Sequence, residues 1–224
     1  MERRLAAIVC ADVAGYSRMM GTDEAGTHAA FKAHRRAIHP IILNHGGRVV
    51  KNTGDGFLLE FPSVVGATEA AIAMQLLMAE RNNHLPVDRA MHFRLGVHMG
   101  DVIADEGEVF GDDVNIAVRL EQAAPPGGIA VSAKAYCEAS RHLGISMVNA
   151  GNYRFKNITD AIEVWTWGPT GSEQCRRDLQ GISALPGQYR LAIVGVLPFV
   201  NFSDNADEYF SDGLTEDLIH GKRQ

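Results

Sequence analysis

An α+β fold, with a mixed and mostly antiparallel sheet and helices on one face, is predicted by three features of this sequence. Short apolar runs alternate with segments of helical periodicity as far as about residue 167. Two pairs of these runs are separated by turn residues and are expected to form hairpins. The 224 residues are 46% hydrophobic and 21% charged, which is enough for one substantial core.

The N-terminal elements are a strand and a helix. Residues 5–11 are continuously apolar and predict a buried strand that ends at Asp12. Thr22 is the expected N-cap of the helix, which stops at Gly46. Pro40 falls inside this helix and is expected to kink it.

The later elements follow from the same patterns. A hairpin is predicted around Asp55, because Asp-Gly between apolar runs is a strong turn signal. The next helix covers residues 63–83, and the next strand covers residues 91–103, followed by a loop. The remaining elements are a helix over 113–124, a strand over 129–131, a short helix from 133 and a hairpin over 145–167.

Composition divides the chain into three parts. Residues 1–168 contain all the elements above and are predicted to form one domain. Residues 169–188 are rich in Gly, Ser, Pro, Gln and Arg and are predicted to be a linker. Residues 189–224 contain a strand and the beginning of a helix, too little to bury a core, so they are interpreted as the truncated start of a C-terminal region.

Charge and cysteine usage exclude several classes of protein. The net charge is -6 and no basic stripe is present, so nucleic acid is not an expected partner. Cys10, Cys137 and Cys175 are odd in number and far apart, which favours a reducing compartment. Asp12 interrupts the first apolar run too early for a signal sequence, and no run reaches membrane-spanning length. A cytoplasmic location and no membrane span are therefore expected.

Two carboxylates and one small-residue turn suggest a metal–phosphate site. Asp12 ends the first strand and Asp55 lies in the hairpin turn, and two carboxylates with few other ligands suit Mg²⁺. Gly15, Tyr16 and Ser17 form a turn before a helix, where backbone N–H groups can bind an anion. Taken singly, the Asp-Gly pair is equally well explained as ordinary turn chemistry, and Asp12 as a strand-ending carboxylate.

Four sequence motifs, in order, resemble the catalytic domain of class III nucleotidyl cyclases, the adenylate and guanylate cyclases. They are Ala11-Asp-Val-Ala-Gly-Tyr-Ser17, Lys51-Asn-Thr-Gly-Asp55, Arg94-Leu-Gly-Val-His-Met-Gly100 and Glu108-Val-Phe-Gly-Asp-Asp-Val-Asn-Ile-Ala-Val-Arg119. The resemblance runs from about Arg4 to Trp167 and implies the ferredoxin-like, palm-type fold of that family. Each motif is weak alone, but the ordered set is specific.

The resemblance implies a two-metal site for ATP. Asp12 and Asp55 would hold two divalent metals, Mg²⁺ or Mn²⁺, with the Val13 carbonyl as an extra ligand. Lys51 and Glu108 occupy the positions that read the purine. Lysine donates and carboxylate accepts, which matches adenine, although Glu is longer than the family's usual Asp or hydroxyl residue. A cyclase for a pyrimidine triphosphate, or for GTP, is the alternative.

The remaining implied roles concern the ribose and phosphates. Asn115 would orient the ribose and Arg119 would stabilise the transition state at the α-phosphate. These residues are four apart and so share one helix face, a spacing that is also common by accident. Arg94 and Lys156 would be the phosphate-binding cations, while solvated positions on strands and helices remain the simpler explanation for each basic residue.

The implied reaction makes a 3′,5′-cyclic nucleotide and pyrophosphate at sites shared between two chains. The resemblance implies that the metal aspartates of each site come from one chain and the base, ribose and transition-state residues from the other. Because this sequence carries both sets, a homodimer with two equivalent sites is expected. A catalytically silent nucleotide-binding regulatory dimer is the alternative from another class of protein. Residues 189–224 resemble the beginning of a region that leads into tetratricopeptide repeats, so a protein partner could bind through repeats that are absent here.

Overall fold

A computed structural model describes residues 1–168, so the predicted linker and C-terminal region lie outside the described residues and stay predictions. The helices and strands, in chain order, are β1 (Glu2–Val13), α1 (Tyr16–Thr22), α2 (Glu24–Asn44), β2 (Arg48–Asn52), β3 (Gly56–Phe61), α3 (Val64–Asn82), β4 (Phe93–Asp105), β5 (Glu108–Phe110), α4 (Asp112–Ala123), β6 (Ile129–Ser132), α5 (Ala133–Ala139), β7 (Val148–Tyr153) and β8 (Ile162–Trp167).

All eight described strands belong to one sheet, which confirms the predicted α+β class and its mostly antiparallel sheet. Their order is β2-β3-β1-β4-β6-β8-β7, with β5 paired to β4. Every pair is antiparallel except β4 with β6. The longest strands, β1 and β4, are central, so both faces of each are buried for most of their length.

Alternation along β1 defines the two faces of the sheet. Ala7, Val9 and Ala11 belong to the main core, which also contains buried residues of α2 and α3. Ala6, Ile8 and Cys10 belong to a second core with Ala117 of α4. Because strand side chains alternate, Asp12 falls on the same face as Cys10, which is the face covered by α4.

Helix α4 is an exception to the predicted placement of the helices on one face. It packs on the face opposite α2 and α3, and its first turn is anchored there by hydrogen bonds. Asp113 Oδ1 lies 2.8 Å from His98 Nε2, and Asp113 Oδ2 accepts from the Asp101 N–H at 2.8 Å. His98 Nδ1 lies 2.7 Å from the Ser132 hydroxyl, so a network that is buried at His98 and Ser132 and partly exposed at Asp113 joins α4 to β4 and β6.

The predicted N-cap at Thr22 is wrong. Thr22 is the last residue of the short helix α1, which the sequence did not reveal because it is only seven residues long. Asp23 is the N-cap of α2, and its carboxylate accepts from the Gly26 N–H at 2.9 Å. Pro40 lies inside α2 as expected.

Other predicted elements are confirmed with small changes in their ends. Ser63 caps α3 by accepting from the Gly66 N–H at 3.4 Å. The loop predicted after the central strand contains β5, which folds back on β4 through a two-residue turn. Within residues 1–168, no helix combines the length and the low polarity that crossing a bilayer requires.

A buried histidine between α2 and α3 predicts acid sensitivity. Burial, together with the charge of Arg81, lowers the pKa of His34 to about 4, and Arg81 Nε donates to its Nδ1 at 2.9 Å. Since the unfolded chain binds this proton near pH 6.5 and the folded chain does not, stability should fall as pH drops from about 6.5 to 4. His34→Gln should flatten this dependence in urea unfolding curves. A wild-type slope retained by the variant would contradict the assignment.

Candidate active site

Asp12 and Asp55 are brought together at the end of β1. Asp12 lies opposite Gly56 of β3 and Arg94 of β4 in the strand register. The Val13 N–H donates to the Asp55 carbonyl at 3.2 Å, which fixes the β2–β3 turn against β1. A Cβ on residue 56 would collide with the Ala11 carbonyl oxygen, so this close approach of the two strands requires glycine.

The two carboxylates interact strongly. Burial, followed by the charge of Asp55 and a hydrogen bond with it, raises the pKa of Asp12 to about 6. The Val13 backbone and the charge of Arg94 act in the opposite direction but do not restore the ordinary value. A site in which two carboxylates repel each other is one that a cation would stabilise.

Glu121 is a third carboxylate of this region, and the sequence patterns did not reveal its role. It lies on α4, is 8% exposed, and has a pKa raised to about 7 by burial and then by the charge of Asp12. Arg94 lowers this pKa and Asp55 raises it further, so all four charged groups share one environment. One sequence feature could have revealed this residue: Glu121 follows Leu120 directly and so places a charge within the apolar stripe of α4.

Arg94 is a cation close to these carboxylates. Its charge affects both Asp12 and Glu121. Its Nε is buried and makes no hydrogen bond within the described residues. An anionic acceptor such as a phosphate oxygen would satisfy this donor, so the surroundings of Arg94 fit the phosphate-binding role expected from the sequence.

Lys51 of β2 and Glu108 of β5 form a second charged pair. Lys51 Nζ lies 3.8 Å from Glu108 Oε1. Both side chains are largely exposed, so this ion pair leaves its donors and acceptors accessible to a ligand. The fold therefore brings together the two residues that the sequence assigns to base recognition.

Asn115 and Arg119 lie on α4, away from the carboxylates of their own chain. The helix buries Ala117, Leu120 and Glu121 against the sheet, so the other two residues lie on its opposite face. Arg119 Nη1 donates to Gln122 Oε1 at 2.8 Å. Within residues 1–168, no hydrogen bond or ion pair joins Asn115 or Arg119 to the aspartate pair.

The other predicted site residues occupy exposed loops or helix ends. Gly15 is the left-handed N-cap residue of α1, with φ 72°, and Ser17 is exposed in the first turn. The Tyr16 ring packs edge-on against that of Phe31, with 5.5 Å between the ring centroids. Lys156 is exposed in the turn between β7 and β8, and no ion pair of the described residues includes it.

The donor set fits divalent metal ions that retain other ligands. In the part of the chain that the structure describes, no group of three or more His, Cys, Asp or Glu side chains could hold a metal by itself. Asp12 and Asp55 with the Val13 carbonyl offer oxygen ligands only, which suits Mg²⁺ or Mn²⁺ when water and phosphate oxygens complete the coordination.

The chain combines an α+β sheet, a carboxylate pair at the end of its central strand β1 and a Lys–Glu pair between β2 and β5, a combination that fits a nucleotide-processing domain of the cyclase type. Residues 3–167 match the family described as the adenylate and guanylate cyclase catalytic domain. The chain belongs to this family, whose members are phosphorus–oxygen lyases.

Individual relatives support the same family. The chain is 42% identical over 223 residues to "Putative adenylate cyclase 3" of Rhizobium meliloti (strain 1021), covering 98% of this chain and 38% of that protein. An adenylate cyclase of Streptomyces coelicolor is 33% identical over 135 residues, covering 58% of this chain and 33% of that protein. The chain thus spans well under half the length of these relatives.

Solved structures agree with the fold. A crystal structure named adenylate/guanylate cyclase/hydrolase from Silicibacter pomeroyi has a TM-score of 0.72 and 39% identity, covering 75% of this chain and 98% of that chain. The adenylyl cyclase CyaB from P. aeruginosa has a TM-score of 0.63 at 21% identity, covering 74% of this chain and 95% of that chain. The second likeness supports the fold alone.

Proposed function

We propose that the domain converts ATP to 3′,5′-cyclic AMP and pyrophosphate. The observation that carries this proposal is the contact between Asp12 and Asp55, which contributes to raising the pKa of Asp12 to about 6. Such a pair at the end of the central strand is suited to cations that accompany a triphosphate. The family to which the chain belongs supplies the reaction class.

The preference for ATP rests on Lys51 and Glu108. Lysine donates to the adenine N1 acceptor, and an ionised carboxylate accepts from the exocyclic amine. Guanine presents a donor at N1 and an acceptor at its exocyclic oxygen, so both contacts would be mismatched. A mismatch that becomes buried when the nucleotide binds costs about 1–3 kcal/mol. The extra methylene of Glu108 keeps GTP and pyrimidine triphosphates as the second candidates.

In the proposed reaction, the ribose 3′-oxygen attacks the α-phosphorus in line, its proton passes to solvent water, and the bond from the α-phosphorus to the pyrophosphate oxygen breaks, so that pyrophosphate leaves. Asn115 orients the ribose so that this attack is geometrically possible. Arg119 donates to the α-phosphoryl oxygens, where negative charge increases in the transition state. Arg94 and Lys156 bind the remaining phosphates, with backbone N–H groups of Gly15, Tyr16 and Ser17.

Asp12, Asp55 and the Val13 carbonyl would hold two Mg²⁺ or Mn²⁺ ions. When bound, these ions supply Lewis acidity at the 3′-hydroxyl and neutralise phosphate charge. The tasks of the chain itself are to place both carboxylates rigidly and to keep Arg94 beside them, through the register of β1, β3 and β4.

The proposed site is shared between two copies of the chain. Asn115 and Arg119 lie on the face of α4 opposite the residues that it buries, so a second copy would have to present them to Asp12 and Asp55. A homodimer with two-fold symmetry provides this arrangement twice. The cytoplasmic location and the C-terminal protein partner remain predictions.

Product analysis tests the proposed reaction directly. Purified protein is incubated with each of the four ribonucleoside triphosphates and Mg²⁺ or Mn²⁺, and the products are identified by mass. Cyclic AMP with pyrophosphate is the expected result. Linear diphosphates, or nucleotide binding without any product, would instead support a hydrolase or the catalytically silent regulatory dimer.

Reversing the charges of the Lys51–Glu108 pair should reverse the base preference. In the Lys51→Glu, Glu108→Lys double variant the ion pair is retained, but an acceptor now faces N1 and a donor faces the exocyclic position. The ratio of kcat/KM for ATP over GTP should fall by about 100-fold. Lys51→Met is the matched control and should lose ATP use without gaining GTP use. An unchanged ratio in the double variant would remove this pair from base recognition.

A further inference from the structure

The guanidinium group of Arg48, on β2, contacts both strand β3 and the turn between β4 and β5. Its Nε and Nη2 lie 2.8 Å and 2.7 Å from Glu60 Oε2 of β3. Its Nη1 donates to the Gly107 carbonyl at 2.8 Å, in the turn between β4 and β5. The planar fork of arginine allows both contacts at once.

Glu60 is the buried carboxylate to which the Arg48 side chain is anchored. Its side chain is 4% exposed, and a buried carboxylate is tolerated only when it is paired. Arg4 Nη2 provides a second ion pair with Glu60 at 2.7 Å. Arg4 and Arg48 therefore share one carboxylate, but the hydrogen bond to Gly107 is made by Arg48.

The Gly107 carbonyl immediately precedes Glu108. Glu106 and Gly107 form the two-residue turn, with φ of 47° and 88°, the positive values typical of a type I′ hairpin turn. Asp105 pairs with Glu108 across this turn. A hydrogen bond to Gly107 therefore restrains the backbone from which the Glu108 side chain projects.

A β-bulge in β2 places Arg48 and Lys51 on the same face of the sheet. Arg48 pairs with Glu60 and Lys51 pairs with Leu58, with the register shift between Val49 and Lys51. Glu60 and Leu58 are two residues apart and so share a face, and the extra residue lets their partners share it too. A regular strand would turn Lys51 to the opposite face.

We propose that Arg48 is a positioning residue for base recognition. By holding the β4–β5 turn against β2, it keeps Glu108 within 3.8 Å of Lys51. This inference rests on the proposed function, in which Lys51 and Glu108 read the base. In this proposal Arg48 acts through its hydrogen bond to Gly107 and its ion pair with Glu60, and not as a ligand of the nucleotide.

Arg48→Lys tests the inference with Arg4→Lys as the matched control. Both variants keep a positive charge beside Glu60, but a lysine cannot reach Glu60 and the Gly107 carbonyl together. Hydrogen exchange is measured at the amides of residues 106–110. Affinities are measured for ATP and GTP analogues in which a methylene replaces the α,β-bridging oxygen, so that neither is cyclised.

We expect Arg48→Lys to speed exchange in the turn and to lower the ATP-to-GTP affinity ratio by about tenfold, with Arg4→Lys unchanged in both. Unchanged exchange in Arg48→Lys would overturn the positioning role. Faster exchange with an unchanged affinity ratio, or no binding of either analogue to the wild type, would overturn its link to base recognition. Cyclase turnover of the wild type is assayed separately, so failure of the proposed reaction is distinguished from failure of this inference.

Discussion

The Asp12→Asn and Asp55→Asn variants are expected to lose at least about 99% of cyclase activity while remaining folded. Each substitution removes one anionic metal ligand and preserves the shape of the side chain. The repulsion that helps to raise the pKa of Asp12 is also relieved, so thermal stability should stay the same or rise slightly. Rates at saturating Mn²⁺ and thermal unfolding curves measure the two effects.

Asp88→Asn is the matched control for this pair of variants. Asp88 is exposed and forms no ion pair within the described residues, so the same chemical change should leave activity unchanged. Near-normal activity of either site variant at saturating Mn²⁺ would remove that residue from metal binding. Loss of activity together with loss of cooperative unfolding would show damage to the fold instead.

Mixing two inactive variants should restore activity. Asp55→Ala and Arg119→Ala should each be inactive as homodimers, because every shared site then lacks one of the two side chains that it needs, Asp55 from one chain or Arg119 from the other. When subunits exchange at equal concentrations, about half of the dimers are mixed, and each has one site with both defects and one with neither. About a quarter of all sites are then intact, so activity should recover to roughly that fraction of wild type.

Dilution and subunit exchange provide the controls for complementation. Recovered activity should fall on dilution as dimers dissociate. Mixing Asp55→Ala with Asp12→Ala should give no recovery. Asp12 and Asp55 are supplied to each site by the same chain, so every site in a mixed dimer still lacks one of them. If exchange is demonstrated and the Asp55 and Arg119 variants still do not complement, both residues act within one chain and the shared site must be abandoned.

Local sequence patterns determined most of the elements. Alternation and apolar runs predicted the central strands, and the Asp-Gly signal predicted the turn between β2 and β3. Those patterns also placed Asp12 at a strand end and Asp55 in a turn. They succeeded because strand ends and tight turns depend on residues that are adjacent in sequence.

The tertiary structure alone decided which side chains meet. Glu121 was missed because its environment comes from β1 and β4. The position of α4 opposite the other helices was not predicted, because helical periodicity does not say which side of a sheet a helix covers. The bulge between Val49 and Lys51, and the hydrogen bond from Arg48 to Gly107 across 59 positions, likewise have no local signal. The period of each element is a local property of the chain, whereas its face and its partners depend on packing between elements that are distant in sequence.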